Sequence, residues 1–326
     1  MRHRLIVILG PTAVGKTGAA ISLAERLDTE IISGDSQLVY RGFDIGSAKP
    51  SADELAAVPH HLVDILDGNS GYNVTDFCTA ARAKIEELNS RGKIPILCGG
   101  TGLYVKALLE GYQFNETSGN DEYREQLERE AAEAAPDDPR AYLLQKLSSL
   151  DPLAAEALAN RDVRRIIRAI EVAASGESIS RDRVSQAEDT AEAEDLVYDA
   201  CVIGLNRERS QLYERINLRV DIMLQEGLIE EVRNLLEAGI DRSAQSMRAI
   251  GYRETAAYLA GEISLDKMTD DIKKNTRHFA KRQLTWYRRM PYIRWIDPTN
   301  YTDESLTSEL LDIVKEQFGT QEIKNC

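Results

Sequence analysis

Cysteine is scarce in this chain, four in 326 residues, and Cys78, Cys98, Cys201 and Cys326 stand far apart with no C-x-x-C pair. That spacing argues against a disulfide framework, a zinc knuckle or a dithiol redox centre, and the chain is long enough to bury a sizeable core without such staples. Histidine is equally sparse, with His60-His61 the one close pair. Adjacent side chains diverge on regular backbone, so the pair reads as a loop or packing feature in place of metal ligands. No run approaches the roughly twenty apolar residues a membrane span requires. The start MRHRLIVILG is basic, but its apolar run is five residues long, too short for a secretory signal. The expectation is a soluble, cytoplasmic protein that does not engage a membrane.

Cationic residues are outnumbered, 40 Lys and Arg against 54 Asp and Glu, for a net charge of −14. On its face this disfavours a nucleic-acid partner, because phosphate contacts need Lys and Arg. The distribution reverses the inference. Acid concentrates in residues 116–138 and 188–195, whereas residues 272–296 have no acidic residue and carry Lys273, Lys274, Arg277, Lys281, Arg282, Arg288, Arg289 and Arg294. Such a stripe either binds a polyanion or forms a solvated helix face, and composition leaves both readings open.

What is present begins within twenty residues of the start. The apolar run 5–9 leads into Gly10-Pro11-Thr12-Ala13-Val14-Gly15-Lys16-Thr17, a complete G-x-x-x-x-G-K-T loop, and residues 17–27 continue with apolar positions at helical spacing. Strand, loop and helix in that order form a phosphate cradle. The glycines let backbone N–H groups face oxyanions, Lys16 supplies a point charge, and the Thr17 hydroxyl is suited to a magnesium ion. ATP is the common occupant of such a loop, and which phosphate is held here stays open.

Strands are expected over 29–33, 94–98, 200–205 and 295–296, and helices over 74–91, 122–133, 139–147, 152–158, 162–174, 209–225, 228–238, 247–260, 269–289 and 304–318. The pattern predicts an α/β fold: a P-loop NTPase-like parallel sheet with flanking helices, interrupted by an all-helical insertion. The boundaries are 1–118 for the first part of the core, 119–185 for the insertion, 186–199 for an acidic, solvated connector and 200–326 for the rest of the core.

Ligands of an open α/β sheet bind at the carboxyl ends of its strands. Strand two leads into Gly34-Asp35-Ser36-Gln37 and the strand at 94–98 into Gly99-Gly100-Thr101-Gly102. Asp35 suits a general base, a magnesium partner through water, or a plain helix N-cap. Thr101 suits a cap for the next helix, and its glycines a tight turn. The Gly-Gly-Thr exit lacks the acidic residue that positions magnesium and water in many P-loop ATPases, which disfavours hydrolysis. The D-D-x-x-D of ordinary prenyl-chain synthases is also absent, since Asp270-Asp271 is followed by Ile-Lys-Lys.

The loop 10–17, Asp35-Ser36-Gln37-Leu38-Val39-Tyr40, Asp44-Ile45-Gly46-Ser47-Ala48-Lys49-Pro50, Pro59-His60-His61, Gly99-Gly100-Thr101-Gly102-Leu103-Tyr104 and Lys281-Arg282-Gln283-Leu284-Thr285-Trp286 together resemble the bacterial tRNA dimethylallyltransferases, in order and over nearly the whole chain. Ser47 departs from a threonine common in that family but keeps the hydroxyl. The likeness is to the compact bacterial form, without the zinc-finger extension of eukaryotic relatives.

The resemblance implies transfer of a dimethylallyl group from dimethylallyl diphosphate to N6 of the adenine beside the anticodon, position 37 of tRNA. Loop residues 10–17 would hold the diphosphate, with Mg2+ on Thr17 and with Arg219 as a second diphosphate contact. Asp35 would take the N6 proton and Thr101 would touch substrate near the reacting centre. Ser36, Gln37, Leu38, Arg124, Arg164, Arg165, Ile166, Ile167, Arg168, Arg248, Arg253, Lys281 and Arg282 would contact the anticodon stem-loop, the target base being extruded to reach a buried diphosphate. Residues 161, 164, 165 and 168, all arginine, fall on one helical face, which is either an RNA grip or a solvated surface. No obligatory protein partner is implied. An adenylate dimethylallyltransferase, a small-molecule kinase and a non-catalytic RNA-binding module are the alternatives.

Overall fold

The computed structural model describes residues 2–112, 121–176 and 191–319. It divides into two compact units, one of Met1–Gly111 with Ala191–Cys326 and one of Tyr112–Thr190. The first is built on six parallel strands, β1 (Arg4–Leu9), β2 (Ile31–Ser33), β3 (His60–His61), β4 (Ile96–Gly99), β5 (Asp199–Leu205) and β6 (Arg294–Ile296), in the order β3-β2-β4-β1-β5-β6. Central β1 is buried on both faces from Leu5 to Leu9, as a helix-covered parallel strand must be. Ile6 and Ile8 pack with helix α1 (Lys16–Leu27) and the last helix, α13 (Asp303–Phe318). Helix α3 (Val74–Ser90), following the short α2 (Ala52–Ala57), clasps the start of β1 through Asn89, whose amide accepts from Arg4 N and donates to Arg4 O at 2.9 and 3.0 Å.

Several boundaries differ from expectation for identifiable reasons. β4 begins at Ile96 because Pro95 has no N–H to give the ladder, although its carbonyl accepts from Ile6 N. β2 begins at Ile31; Thr29 spends its hydroxyl on Ile94 O and Glu30 its carboxylate on His61 and Arg91. His60 and His61, expected as a loop or packing pair, form the edge strand β3, and their rings diverge to Val58 O and Glu30 respectively. The helix expected over 247–260 breaks at Gly251, where φ is +97°, into a 3-10 turn (Ser246–Arg248) and α11 (Tyr252–Leu259). Of the acidic connector, residues 186–190 lie outside the described residues; residues 192–195 are exposed, whereas Leu196 and Tyr198 are buried and Val197 N donates to Leu109 O.

The second unit contains four described helices, α5 (Asp121–Ala134), α6 (Pro139–Leu150), α7 (Pro152–Ala157) and α8 (Val163–Ala174), around Leu127, Leu143, Leu147, Ile166 and Ile170. Asp138 and Asp151 cap α6 and α7, each followed by a proline whose missing N–H costs nothing at the first helical position.

In the first unit the β5-to-β6 crossover supplies α9 (Arg209–Glu226), α10 (Leu228–Glu237), α11 and the long α12 (Leu265–Tyr287). α12 packs on α4 (Gly102–Leu109), the helix that leaves β4, and does so at a glycine. A methyl at Gly102 would lie 1.8 Å from Trp286 Cδ1. Gly102→Ala is therefore expected to destabilise the protein by about 2 kcal/mol through overpacking, read as a lower urea midpoint at unchanged m-value. An unchanged midpoint would show that the Trp286 ring has room to move.

No described helix is long and apolar enough to cross a membrane.

Candidate phosphate and base site

Strand order places the exits of β2, β4 and β1 side by side, so three loops meet at one carboxyl edge. The first is the phosphate loop. Ala13 and Gly15 take positive φ, +65° and +108°, and Gly15 opens α1 with no side-chain cap, leaving the helix's first N–H groups to a ligand. Two loop carbonyls, which would repel an anion, are occupied by arginines: Arg215 Nε donates to Ala13 O at 2.9 Å and Arg207 Nε to Val14 O at 3.0 Å. Lys16 Nζ donates to Pro11 O at 2.9 Å.

The second loop carries Asp35. Its Oδ1 accepts from Gln37 N at 2.8 Å, an Asx turn and no helix cap. The third is the Gly-Gly-Thr exit of β4. Thr101 precedes α4 but makes no capping bond with its side chain; its Oγ1 accepts from Ser36 N at 3.2 Å and ties the third loop to the second. A methyl at Gly100 would sit 3.8 Å from Lys16 Nζ and 3.9 Å from Asp35 Oδ2. The same methyl would meet Gln283 Nε2 at 2.6 Å, so only glycine admits Gln283 here, beside a half-buried cation and a half-buried carboxylate.

α12 joins the loops from above. Gln283 accepts from Thr12 N at 2.9 Å and donates to Gly100 O at 2.7 Å. One turn later the Tyr287 hydroxyl donates to Gly100 O at 2.8 Å and lies 3.3 Å from Gly10 O. Burial sets the electrostatics. It lowers the Lys16 ammonium to about 8 despite the opposing charge of Asp35. Burial likewise raises the Asp35 carboxyl above its ordinary value, against the Gln37 N–H and Lys16, and pushes the neighbouring Cys98 thiol up to about 11, where it stays neutral. Arg219 is held below the ordinary guanidinium value by burial and then by Arg215.

These groups line a cavity of about 580 Å³. Thr12, Lys16, Thr17 and Arg219 form its cationic end; Asp35, Ser36, Gln37, Leu38 and Thr101 its polar side; Arg248, Arg253 and Arg282 are also on its wall. Gln37 Oε1 is buried there without a hydrogen-bond partner among the described residues. Arg248 and Arg253 are exposed and tied to Ser243 O and Glu254, and Arg282 lies over the Phe279 ring. Lys281 is exposed on α12 and is not among the lining residues.

The other sequence-based candidates belong to the second unit. Arg124 and Arg168 both engage the buried carboxylate of Glu171, and Arg165 pairs with Asp162, the N-cap of α8. Arg164 is exposed. Arg161 precedes the cap, so it is not on the helical face the spacing suggested. Ile166 and Ile167, at 0 and 2 % exposure, are core residues, so any RNA contact at these positions falls to the backbone and not to the side chains.

Sequence reading missed Arg207, Arg215, Gln283 and Tyr287. The local signals were the i, i+4 spacings of 215 with 219 and of 283 with 287, and the place of Gln283 in the segment 281–286 that carries the resemblance.

Because Lys16 titrates at about 8 in the ligand-free loop, a bound polyanion must raise that value again. The lysine's contribution to affinity is complete below pH 8 and falls above it, by up to about tenfold per pH unit, with proton uptake on binding. Calorimetric titration of inorganic diphosphate should show this loss in the wild type and lose it in Lys16→Arg, which stays charged throughout. Equal pH slopes in the two proteins would remove Lys16 from the site.

Comparisons with known proteins agree on one family. The family described as IPP transferase matches residues 38–290, and one described as Isopentenyl transferase matches residues 3–65. A tRNA dimethylallyltransferase of Anoxybacillus flavithermus is 42% identical over 323 residues, covering 98% of this chain and 99% of that protein. One of Bacillus anthracis is 44% identical over 96% of each. Among solved structures, the full-length tRNA isopentenylpyrophosphate transferase of Bacillus halodurans superposes with a TM-score of 0.71 at 39% identity, over 100% of both chains. A eukaryotic dimethylallyltransferase acting on tRNA gives 0.76 at 26% identity, over 96% of this chain and 79% of the other.

Proposed function

The chain belongs to the IPP transferase family, and from that premise we propose that it transfers a dimethylallyl group from dimethylallyl diphosphate to N6 of adenine 37 in tRNA, releasing diphosphate. The single observation that carries the assignment of parts is the meeting of the phosphate loop, Asp35 and Thr101 around one cavity.

The loop's N–H groups, Lys16 and Arg219 bind the diphosphate and stabilise the charge it gains as the allylic C–O bond breaks and its electron pair departs. Residues 10–17 also suit other di- and triphosphates, ATP included. N6 of adenine forms the new bond to carbon, and its proton passes to Asp35, whose raised affinity for a proton suits it to a base. Thr101 is placed to contact the acceptor beside Asp35. The unpartnered Gln37 Oε1 suits an N–H donor on an extruded base. Ser36, Leu38, Arg248, Arg253 and Arg282 continue the same wall, and Arg124, Arg164, Arg165 and Arg168 offer phosphate contacts from the helical unit, with Lys281 a further one on α12.

Hard oxygen donors at the cavity's cationic end suit magnesium. Thr17 would hold it, and the ion would supply further neutralisation of the leaving group. A tRNA substrate places the reaction in the cytoplasm.

Incubation with labelled dimethylallyl diphosphate should move label into unmodified tRNA and not into AMP. Asp35→Asn should slow turnover about 10²-fold or more while leaving tRNA affinity within about twofold of wild type. Label in AMP alone overturns the acceptor, and unchanged turnover removes Asp35 as the base.

A further inference from the structure

Beyond the diphosphate end, the main cavity turns apolar along one face of α9. Ile216, Val220 and Met223, at i, i+4 and i+7, line it, with Ile272 of α12 also in the wall. An isoprenoid chain has no polar atom, so once its diphosphate is seated beside Arg219 its carbons belong at the Met223 end of this face, where side-chain surface is open. Ile216, Val220 and Ile272 are buried; Met223 is half-buried and ends the row.

A second cavity of about 380 Å³ shares four lining residues with the first: Thr17, Ala48, Arg219 and Met223. Its volume is that of roughly ten water-sized groups. It is walled in part by Leu218 and Ile222, two large apolar side chains left 60 and 41 % exposed. The loop on its other side is fixed. Glu231 accepts from Asp44 N, Ile45 N and Gly46 N at 3.0, 2.7 and 3.1 Å, and Ser47 N donates to the Tyr252 hydroxyl at 3.0 Å. On that side Lys49 lies 2.5 Å from both Asp44 and Asp64 and Glu54 accepts from Ser51 N, while Arg215, which donates to Ala13 O, and Glu226 line the cavity from α9. Ala48 has positive φ, +54°, and no side chain beyond its methyl. Of the partition's members, only Met223 is a long, unbranched apolar chain, the kind that fills or vacates space readily.

We propose that Met223 sets the length of the allylic donor: its side chain closes the wall behind a five-carbon group, and the cavity beyond it is a subsite for a second isoprene unit. The inference rests on the proposed transfer reaction and names a specificity determinant within it. With a ten-carbon donor the chemistry balances as before: N6 bonds to the allylic carbon, the C–O bond gives its electron pair to diphosphate, and the N6 proton goes to Asp35.

The test is the ratio of kcat/KM for geranyl diphosphate to that for dimethylallyl diphosphate, with unmodified tRNA as acceptor and the product's mass confirming the added group. Met223→Ala should raise the ratio at least about tenfold over wild type, the scale on which apolar pockets discriminate chain length. Adding Ile222→Trp, which refills the second cavity, should return the ratio towards wild type. A folded Met223→Ala that still transfers dimethylallyl groups with an unchanged ratio overturns the proposal, as does a gain that survives Ile222→Trp. Should Met223→Ala fail to fold, Met223→Val carries the same comparison. Wild type that transfers no dimethylallyl group to tRNA overturns the underlying reaction, whereas failure of the geranyl arm alone overturns only the gate.

Discussion

The seating of α12 on the phosphate loop is the constraint on which the rest of the site depends. Gln283 and Tyr287 are buried, and their polar atoms find partners only on the backbone of Gly10, Thr12 and Gly100. A buried amide or hydroxyl without a partner is costly, so Gln283 and Tyr287 favour the one register in which both are satisfied, although the Trp286 indole N–H of the same helix is buried without a partner among the described residues. In that register the exits of β1 and β4 are held at a fixed separation, and Thr101 carries the constraint to Asp35 through Ser36 N. The glycines of the β4 exit follow from the same contact. Side chains at 100 and 102 would occupy the places of Gln283 and Trp286.

A protein with a net charge of −14 thereby builds a cationic centre. The positive groups are gathered around one half-buried cavity: Lys16 and Arg219 line it, while Arg207 and Arg215 occupy loop carbonyls. Desolvation costs each cation something in the ligand-free state, visible in the lowered Lys16 value, and a bound polyanion recovers that cost. The same burial raises Asp35. A carboxylate and an ammonium thus line one cavity and are suited to different ends of one reaction.

Much of this was legible along the chain where the physics is local. The strand, G-x-x-x-x-G-K-T and helix succession fixed the first crossover, and Asp35 and the Gly-Gly-Thr turn could be placed at strand exits before any sheet order was known. What escaped was non-local. Nothing beside Gln283 announces that its partners lie at Thr12 and Gly100, more than 180 residues away. Arginine spacing also overreached at Arg161, because Asp162 caps the helix after it, and Ile166 and Ile167, adjacent to the arginines in sequence, lie on the buried side. Pro95 and Gly251 moved element ends by the ordinary rules of proline and glycine, which are easier to apply once the neighbouring strand and turn are known.

The central claim, that α12 clamps leaving-group site and base into one reacting geometry, is tested most directly by the single-turnover rate of Gln283→Ala on saturating tRNA, measured beside tRNA affinity. Losing both bonds should let the loop and the β4 exit drift apart and slow the chemical step about 10²-fold, the scale of an ångström's misplacement, with tRNA affinity within about twofold of wild type. A single-turnover rate equal to wild type in a folded variant would contradict the account.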